Sequence, residues 1–160
     1  MTIRYAVPDD VPALSAVEAD CFPPAEAATA AEFAERVSYY GNHFWLMFDG
    51  DKLISFVDGF VTDDADLTDE MYENAAMHNE NGAWQMIFGV NTLPAYRQQG
   101  YAAELIQKAI ADVKEQGRKG LVLTCKDRLV HYYAKFGFVD EGVSASTHGD
   151  VVWHQMRLTF

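Results

Sequence analysis

The sequence predicts a mixed α/β (α+β) fold in a single domain over residues 1–160, and three observations carry that prediction. Its 160 residues, 49% hydrophobic and 13% aromatic, supply one core but not two. Phe44-Trp45-Leu46-Met47-Phe48, then Asp49-Gly50, then Leu53 to Val61 has the form of an antiparallel hairpin, because Asp-Gly supplies the positive backbone angles of a tight turn. The apolar run Trp84 to Val90 leads through Asn91 to Gly100 into Tyr101 to Gln116, where Leu105, Ile106, Ala109, Ile110 and Val113 form a helical stripe. Continued along the chain, this alternation gives a mixed, mostly antiparallel sheet of about seven strands flanked by about four helices.

The remaining elements follow in order. Thr2 to Val7 alternates as a strand, and Pro8-Asp9-Asp10 opens a helix carrying Val11, Leu14, Val17 and Cys21. Phe22-Pro23-Pro24 breaks that helix. Thr29-Ala30-Ala31-Glu32 has the capping-box spacing that starts a second helix through Tyr39 or Tyr40. Thr62 to Ala83 holds seven acids and no Lys or Arg, with Leu67, Met71 and Tyr72 spaced for a short exposed helix. Beyond Gly117 and Gly120, Leu121 to Cys125 is a buried-strand run and Leu129 to Phe136 a short helix. Phe138 to Val143 and Val151 to Leu158 close the sheet.

Charge excludes some partners. The net charge is −12, with 17 acids against three bases in residues 1–96 and nine bases against seven acids in 97–160. That total repels nucleic acid phosphates, and no Lys/Arg-rich run offsets it. No apolar run approaches the ~20 residues of a membrane span, and Met1 to Asp10 lacks the regions of a signal peptide, so a soluble, cytoplasmic protein is expected. Cys21 and Cys125 stand far apart without metal-ligand spacing, so they read as reduced packing residues and no metal is expected.

The most informative stretch is Arg97-Gln98-Gln99-Gly100-Tyr101-Ala102-Ala103, between a buried strand and an amphipathic helix. Amides from Gln98 to Ala103 converge at a helix N-terminus, where unsatisfied donors and the positive dipole end favour a phosphate. Gly100 and Ala102 keep the approach open, and Arg97 is either a phosphate partner or a surface cation. The loop lacks the Lys-Ser/Thr of a P-loop and the three glycines of a dinucleotide fold. Downstream, Cys125-Lys126-Asp127-Arg128-Leu129-Val130 runs on through His131-Tyr132-Tyr133-Ala134 to Lys135-Phe136-Gly137-Phe138.

With these two motifs the sequence resembles the GNAT acetyltransferases. Arg97-x-x-Gly100-x-Ala102 after Pro94 resembles their motif A, which binds the pyrophosphate of acetyl-coenzyme A (acetyl-CoA). Cys125 to Phe138 resembles motif B, especially its form in the arylalkylamine (serotonin-type) N-acetyltransferases. The resemblance extends weakly through Asp20-Cys21-Phe22, Ile54-Ser55-Phe56 and Asp66-Leu67-Thr68. It implies the splayed sheet of the GNAT fold, acetyl-CoA as cosubstrate, and direct attack of a primary amine on the thioester through a tetrahedral intermediate. A small arylalkylamine or polyamine is the expected acceptor, and the protein a monomer or homodimer.

The resemblance also implies roles. The backbone of Val90, Asn91 and Thr92 would hold the pantetheine and thioester, and Arg97 to Ala103 the pyrophosphate. Tyr133 would be the general acid for the departing thiolate, with Tyr132 turned about 100° away around the helix. Phe22 and Pro23 would wall the acceptor site, and Phe60 and Met86 would line the same cavity. The vertebrate serotonin-type enzymes place two histidines on the strand before motif A to take the amine proton. Met86 and Phe88 occupy the matching positions here, so the base is unassigned. A protein acetyltransferase acting on N-terminal or lysine amines, or a non-catalytic acetyl-CoA-binding domain, are the rival readings.

Overall fold

The computed structural model describes residues 1–146 and 148–160. Nine strands and five α-helices follow in chain order among the described residues. They are β1 (Thr2–Arg4), α1 (Val11–Cys21), α2 (Ala30–Tyr40), β2 (Phe44–Asp49), β3 (Lys52–Asp58), β4 (Val61–Thr62), α3 (Asp69–Glu73), β5 (Trp84–Ile87), β6 (Gly89–Thr92), α4 (Tyr101–Glu115), β7 (Gly120–Cys125), α5 (Val130–Ala134), β8 (Val139–Val143) and β9 (His154–Thr159). The mixed, mostly antiparallel α/β fold is the one expected, with its strands divided between a four-stranded and a five-stranded sheet.

The chain forms two compact units, Met1–Gly59 with Gly89–Ala109, and Phe60–Phe88 with Ile110–Phe160. In the first, the antiparallel sheet has the order β1-β2-β3-β6. Thr29 caps α2 as its spacing demands: its hydroxyl accepts from the Glu32 N–H at 3.2 Å, and the Glu32 carboxylate accepts from the Thr29 N–H at 3.1 Å. α2 then buries Phe33 edge-on against Phe56 at 5.7 Å and Phe44 at 6.3 Å, geometry that aromatic quadrupoles favour. α1 contributes Leu14 and Val17 to the same core. Gly50, at φ 59°, closes the β2–β3 hairpin.

In the second unit the order is β4-β5-β7-β9-β8, with β5 and β7 parallel and the other pairs antiparallel. Leu121, Val122, Leu123 and Met156 are buried at its centre. The acidic segment from Thr62 is anchored more than its charge suggests. Leu67, Met71 and Ala75 are buried, and the Leu67 N–H donates to Gln155 at 3.0 Å.

Two expected strands are shorter. The run to Val61 ends at Asp58, and Val61–Thr62 pairs with β5. The run Trp84 to Val90 breaks at Phe88: β5 lies parallel to β7, whereas β6 pairs antiparallel with β3. An apolar run is compatible with either sheet, so only the pairing partners decide where it divides. No helix among the described residues is long and apolar enough to cross a membrane.

Candidate active site

The loop before α4 has the shape its sequence suggests. Pro94–Tyr96 forms a 3₁₀ turn, pinned by the Tyr96 hydroxyl donating to Asp49 at 2.9 Å. Gln98 and Gly100 then take left-handed angles, φ 62° and 84°. Such angles are uncommon for a residue with a side chain, and here they alternate with the ordinary hand to turn successive amides inward. Glu104 donates to the Gly100 carbonyl at 3.0 Å, while none of the N–H groups from Gln98 to Ala103 has a backbone partner among the described residues. A Cβ on Gly100 would meet open space. Arg97 lends its Nε to the Thr92 carbonyl at 3.0 Å and pairs with no carboxylate among the described residues. The site therefore fits a diphosphate: free donors, a helix dipole and one cation that pairs with no carboxylate among the described residues.

β6 ends the four-stranded order, so its outer edge has no ladder partner among the described residues. Val90 and Thr92 are half-buried, whereas Asn91 turns its side chain into the interior. Ser55 braces this strand, donating to the Asn91 carbonyl at 2.6 Å and lying 2.9 Å from the Thr92 hydroxyl.

In the second unit, Tyr133 is buried on α5, with Tyr132 at 5.2 Å between ring centres and Phe138 at 6.2 Å, both edge-on. Burial, then the neighbouring Cys125 and Tyr132, lift its hydroxyl pKa above the ordinary phenol value, so it stays protonated through neutral pH. Tyr132 is half-buried. Phe60 and Met86, expected to line the acceptor cavity, are both 0% exposed, and Phe60 packs edge-on against Phe88 at 5.0 Å. Large apolar side chains next to a strand pairing fill the core first. Phe22 is half-buried and Pro23 exposed, in the turn after α1.

Two of the histidines, His78 and His154, have polar partners of their own. His78 Nδ1 accepts the Val61 N–H at 3.1 Å and its Nε2 faces Glu80 at 3.3 Å. His154 lies between Asp140 at 3.2 Å and Asp127 at 3.3 Å.

A cluster that the sequence reading missed lies in the first unit. Glu18 of α1, Arg36 of α2, Asp58 of β3 and Asn91 of β6 are all buried. Arg36 Nη1 reaches Asp58 Oδ2 at 3.3 Å, and Glu18 Oε2 accepts the Ala28 N–H at 2.8 Å. Asp58 Oδ1 has no partner at hydrogen-bond geometry among the described residues, and the Asn91 carboxamide faces the Glu18 carboxyl. Burial, with Asp58 adding repulsion, pushes Glu18 up to about 7 against the pull of the Ala28 N–H and Arg36. Burial likewise raises Asp58 to about 6 despite Arg36. A signal existed: Glu18 and Arg36 occupy core positions of their helices, beside Leu14 and Val17 and beside Phe33 and Val37.

Comparison with known proteins agrees with this geometry. The chain is 28% identical over 111 residues to serotonin N-acetyltransferase of Mesocricetus auratus, covering 69% of this chain and 52% of that protein, about half its length. Among solved structures, the loading GNATL domain of CurA from Lyngbya majuscula superposes with a TM-score of 0.88 at 15% identity, covering 99% of this chain and 96% of that one. The GphF GNAT-like decarboxylase in complex with isobutyryl-CoA gives 0.85 at 21% identity over 99% of both. At such identities these structures establish the fold. Residues 11–138 match the Acetyltransferase (GNAT) family, and with four-fifths of its length so matched the chain belongs to that family.

Proposed function

We propose that this chain transfers the acetyl group of acetyl-CoA to the primary amine of a small molecule, an arylalkylamine or polyamine, with residues 1–160 serving as one cytoplasmic acetyltransferase domain. The observation that carries the reading is the array of unpartnered amides from Gln98 to Ala103, beside Arg97 and directly after the open edge of β6. Arg97 and the amides hold the diphosphate, and the edge of β6 from Val90 to Thr92 holds the pantetheine arm. Acetyl-CoA supplies an activated thioester carbon. Tyr133 holds a proton at its hydroxyl for the departing sulfur, which its buried setting keeps in place at neutral pH. Phe22 and Pro23 form a wall for the acceptor, and the acidic first half of the chain attracts a cationic amine. No metal has a role in this scheme, and two free cysteines suit a reducing compartment.

Release of free thiol from acetyl-CoA, followed against a panel of arylalkylamines, polyamines and peptides, tests the reading. Turnover with small amines is expected. Turnover confined to peptides would make the chain a protein acetyltransferase, and binding without turnover on any acceptor a regulatory acetyl-CoA-binding domain.

A further inference from the structure

We infer that Tyr72 and Phe88 are specificity-determining residues for the acceptor, their two rings holding its aryl group so that arylalkylamines are acetylated in preference to polyamines. The inference rests on the amine-acetylation reading and supplies the acceptor contacts that the buried Phe60 and Met86 do not.

β5 and β7 are the only parallel pair among the described residues. In sheets built on parallel strands, ligands bind outside the carboxyl ends, where the chain turns away and leaves room. The register of Met86 with Val122 and Ile87 with Leu123 brings Phe88, the first residue after β5, level with Thr124 near the end of β7. Tyr72 of α3 reaches both. Its ring centre lies 4.8 Å from that of Phe88 at 43° between planes, and its hydroxyl oxygen lies 3.1 Å from that of Thr124.

Tyr72, Phe88 and Thr124 are all half-buried, so each keeps part of its surface in reach of a ligand. Beneath them Phe60, fully buried, supports Phe88 edge-on at 5.0 Å. Phe60 thus forms the inner layer of this aromatic stack, with Tyr72 and Phe88 on its outer side. A tilted pair of rings favours a third ring placed offset or edge-on, because aromatic quadrupoles attract in those arrangements, and an aliphatic polyamine has no ring to offer. The pair is also held in advance of binding. Leu67 and Met71 are buried on either side of the start of α3, and the Leu67 N–H donates to Gln155 at 3.0 Å, which anchors the segment carrying Tyr72.

Side chains alternate along β7, so Thr124 faces away from Cys125, the neighbour of Tyr133. Tyr72 and Phe88 therefore stand on the other face of this sheet from the proposed acid, and the acceptor and the acid occupy separate surfaces.

Initial rates with tyramine and with spermidine test this. The wild type is expected to favour tyramine at least about tenfold in kcat/KM. Phe88→Leu keeps the apolar bulk and loses the ring. It should raise KM for tyramine about tenfold, while kcat/KM for spermidine and the calorimetric Kd for acetyl-CoA stay within about twofold. Tyr72→Leu should act in the same direction, and it decides the matter if Phe88→Leu does not fold. Tyr72→Phe, which retains the ring, should retain the preference. Side chains that merely covered the core would, on replacement, slow both acceptors alike or neither, and either result overturns the inference. So does a wild type that acetylates spermidine as well as tyramine, which leaves amine acetylation standing. A wild type that binds acetyl-CoA and acetylates no amine overturns both.

Discussion

Two clusters of one composition, two carboxylates around one arginine, sit in opposite surroundings. In the first unit Arg36 serves Asp58 and Glu18 in the interior, with side-chain exposures of 6% for Arg36 and 1% for Asp58. In the second, Arg157 reaches Asp66 at 3.0 Å and Glu141 at 2.9 Å, with Asp66 73% exposed. The hydrogen bond from Arg157 holds the Glu141 carboxyl below its ordinary range, while Glu18 and Asp58 stand above theirs. The same ion pairing therefore loses to desolvation in one place and prevails in the other. Water, more than the identity of the partner, decides whether a carboxylate here is a fixed anion or a group able to exchange a proton near neutrality.

The largest effect expected from burial is on catalysis. Tyr133→Phe removes one hydroxyl from a buried ring and is expected to lower kcat by about 10²–10⁴-fold with acetyl-CoA affinity retained. Tyr132→Phe, at the half-buried neighbour, should change kcat far less. Equal turnover in both variants, measured where chemistry limits the rate, would remove Tyr133 from the role of acid.

The two arginines test the comparison directly. Arg36→Leu strands two buried carboxylates and is expected to destabilise the fold by about 3–5 kcal/mol. Arg157→Leu, which also gives up its stacking 4.6 Å over Trp84, should cost no more than about 1 kcal/mol. Denaturant midpoints that shift equally would erase the distinction between the clusters.

The loop before α4 contrasts with both, being exposed and dispensable for the core. Gly100→Val places a β-branched residue at φ 84°, and is expected to weaken acetyl-CoA binding at least tenfold while the protein stays folded. Calorimetry giving an unaltered Kd on that folded variant would move the phosphate site elsewhere.

The buried carboxylate also sets a pH dependence of stability. Glu18 binds its proton more tightly folded than unfolded, so its contribution is fully present below about pH 4.5 and is lost as pH rises to about 7. Glu18→Gln should thus match the wild type near pH 4 and exceed its stability at pH 8 by up to about 3 kcal/mol. Glu141 works the other way, its contribution present above about pH 4.5 and lost as pH falls. Urea titrations at pH 4 and 8 showing no advantage for Glu18→Gln would mean that Glu18 is not held in a desolvated state.

Local chemistry was enough to read the capping box at Thr29, the Asp49-Gly50 turn and the run from Arg97 to Ala103 that heads α4, because each effect acts between residues a few positions apart. The two motifs, Arg97 to Ala103 and Cys125 to Phe138, were likewise enough to point to the family. Tertiary structure alone decided that the run from Trp84 splits at Phe88 between two sheets, that Phe60 and Met86 belong to the core, and that Glu18, Arg36, Asp58 and Asn91 meet. Those outcomes depend on which strand pairs with which and on where water is excluded. Both are set by residues distant in sequence, and a carboxylate's proton affinity follows from them rather than from its neighbours along the chain.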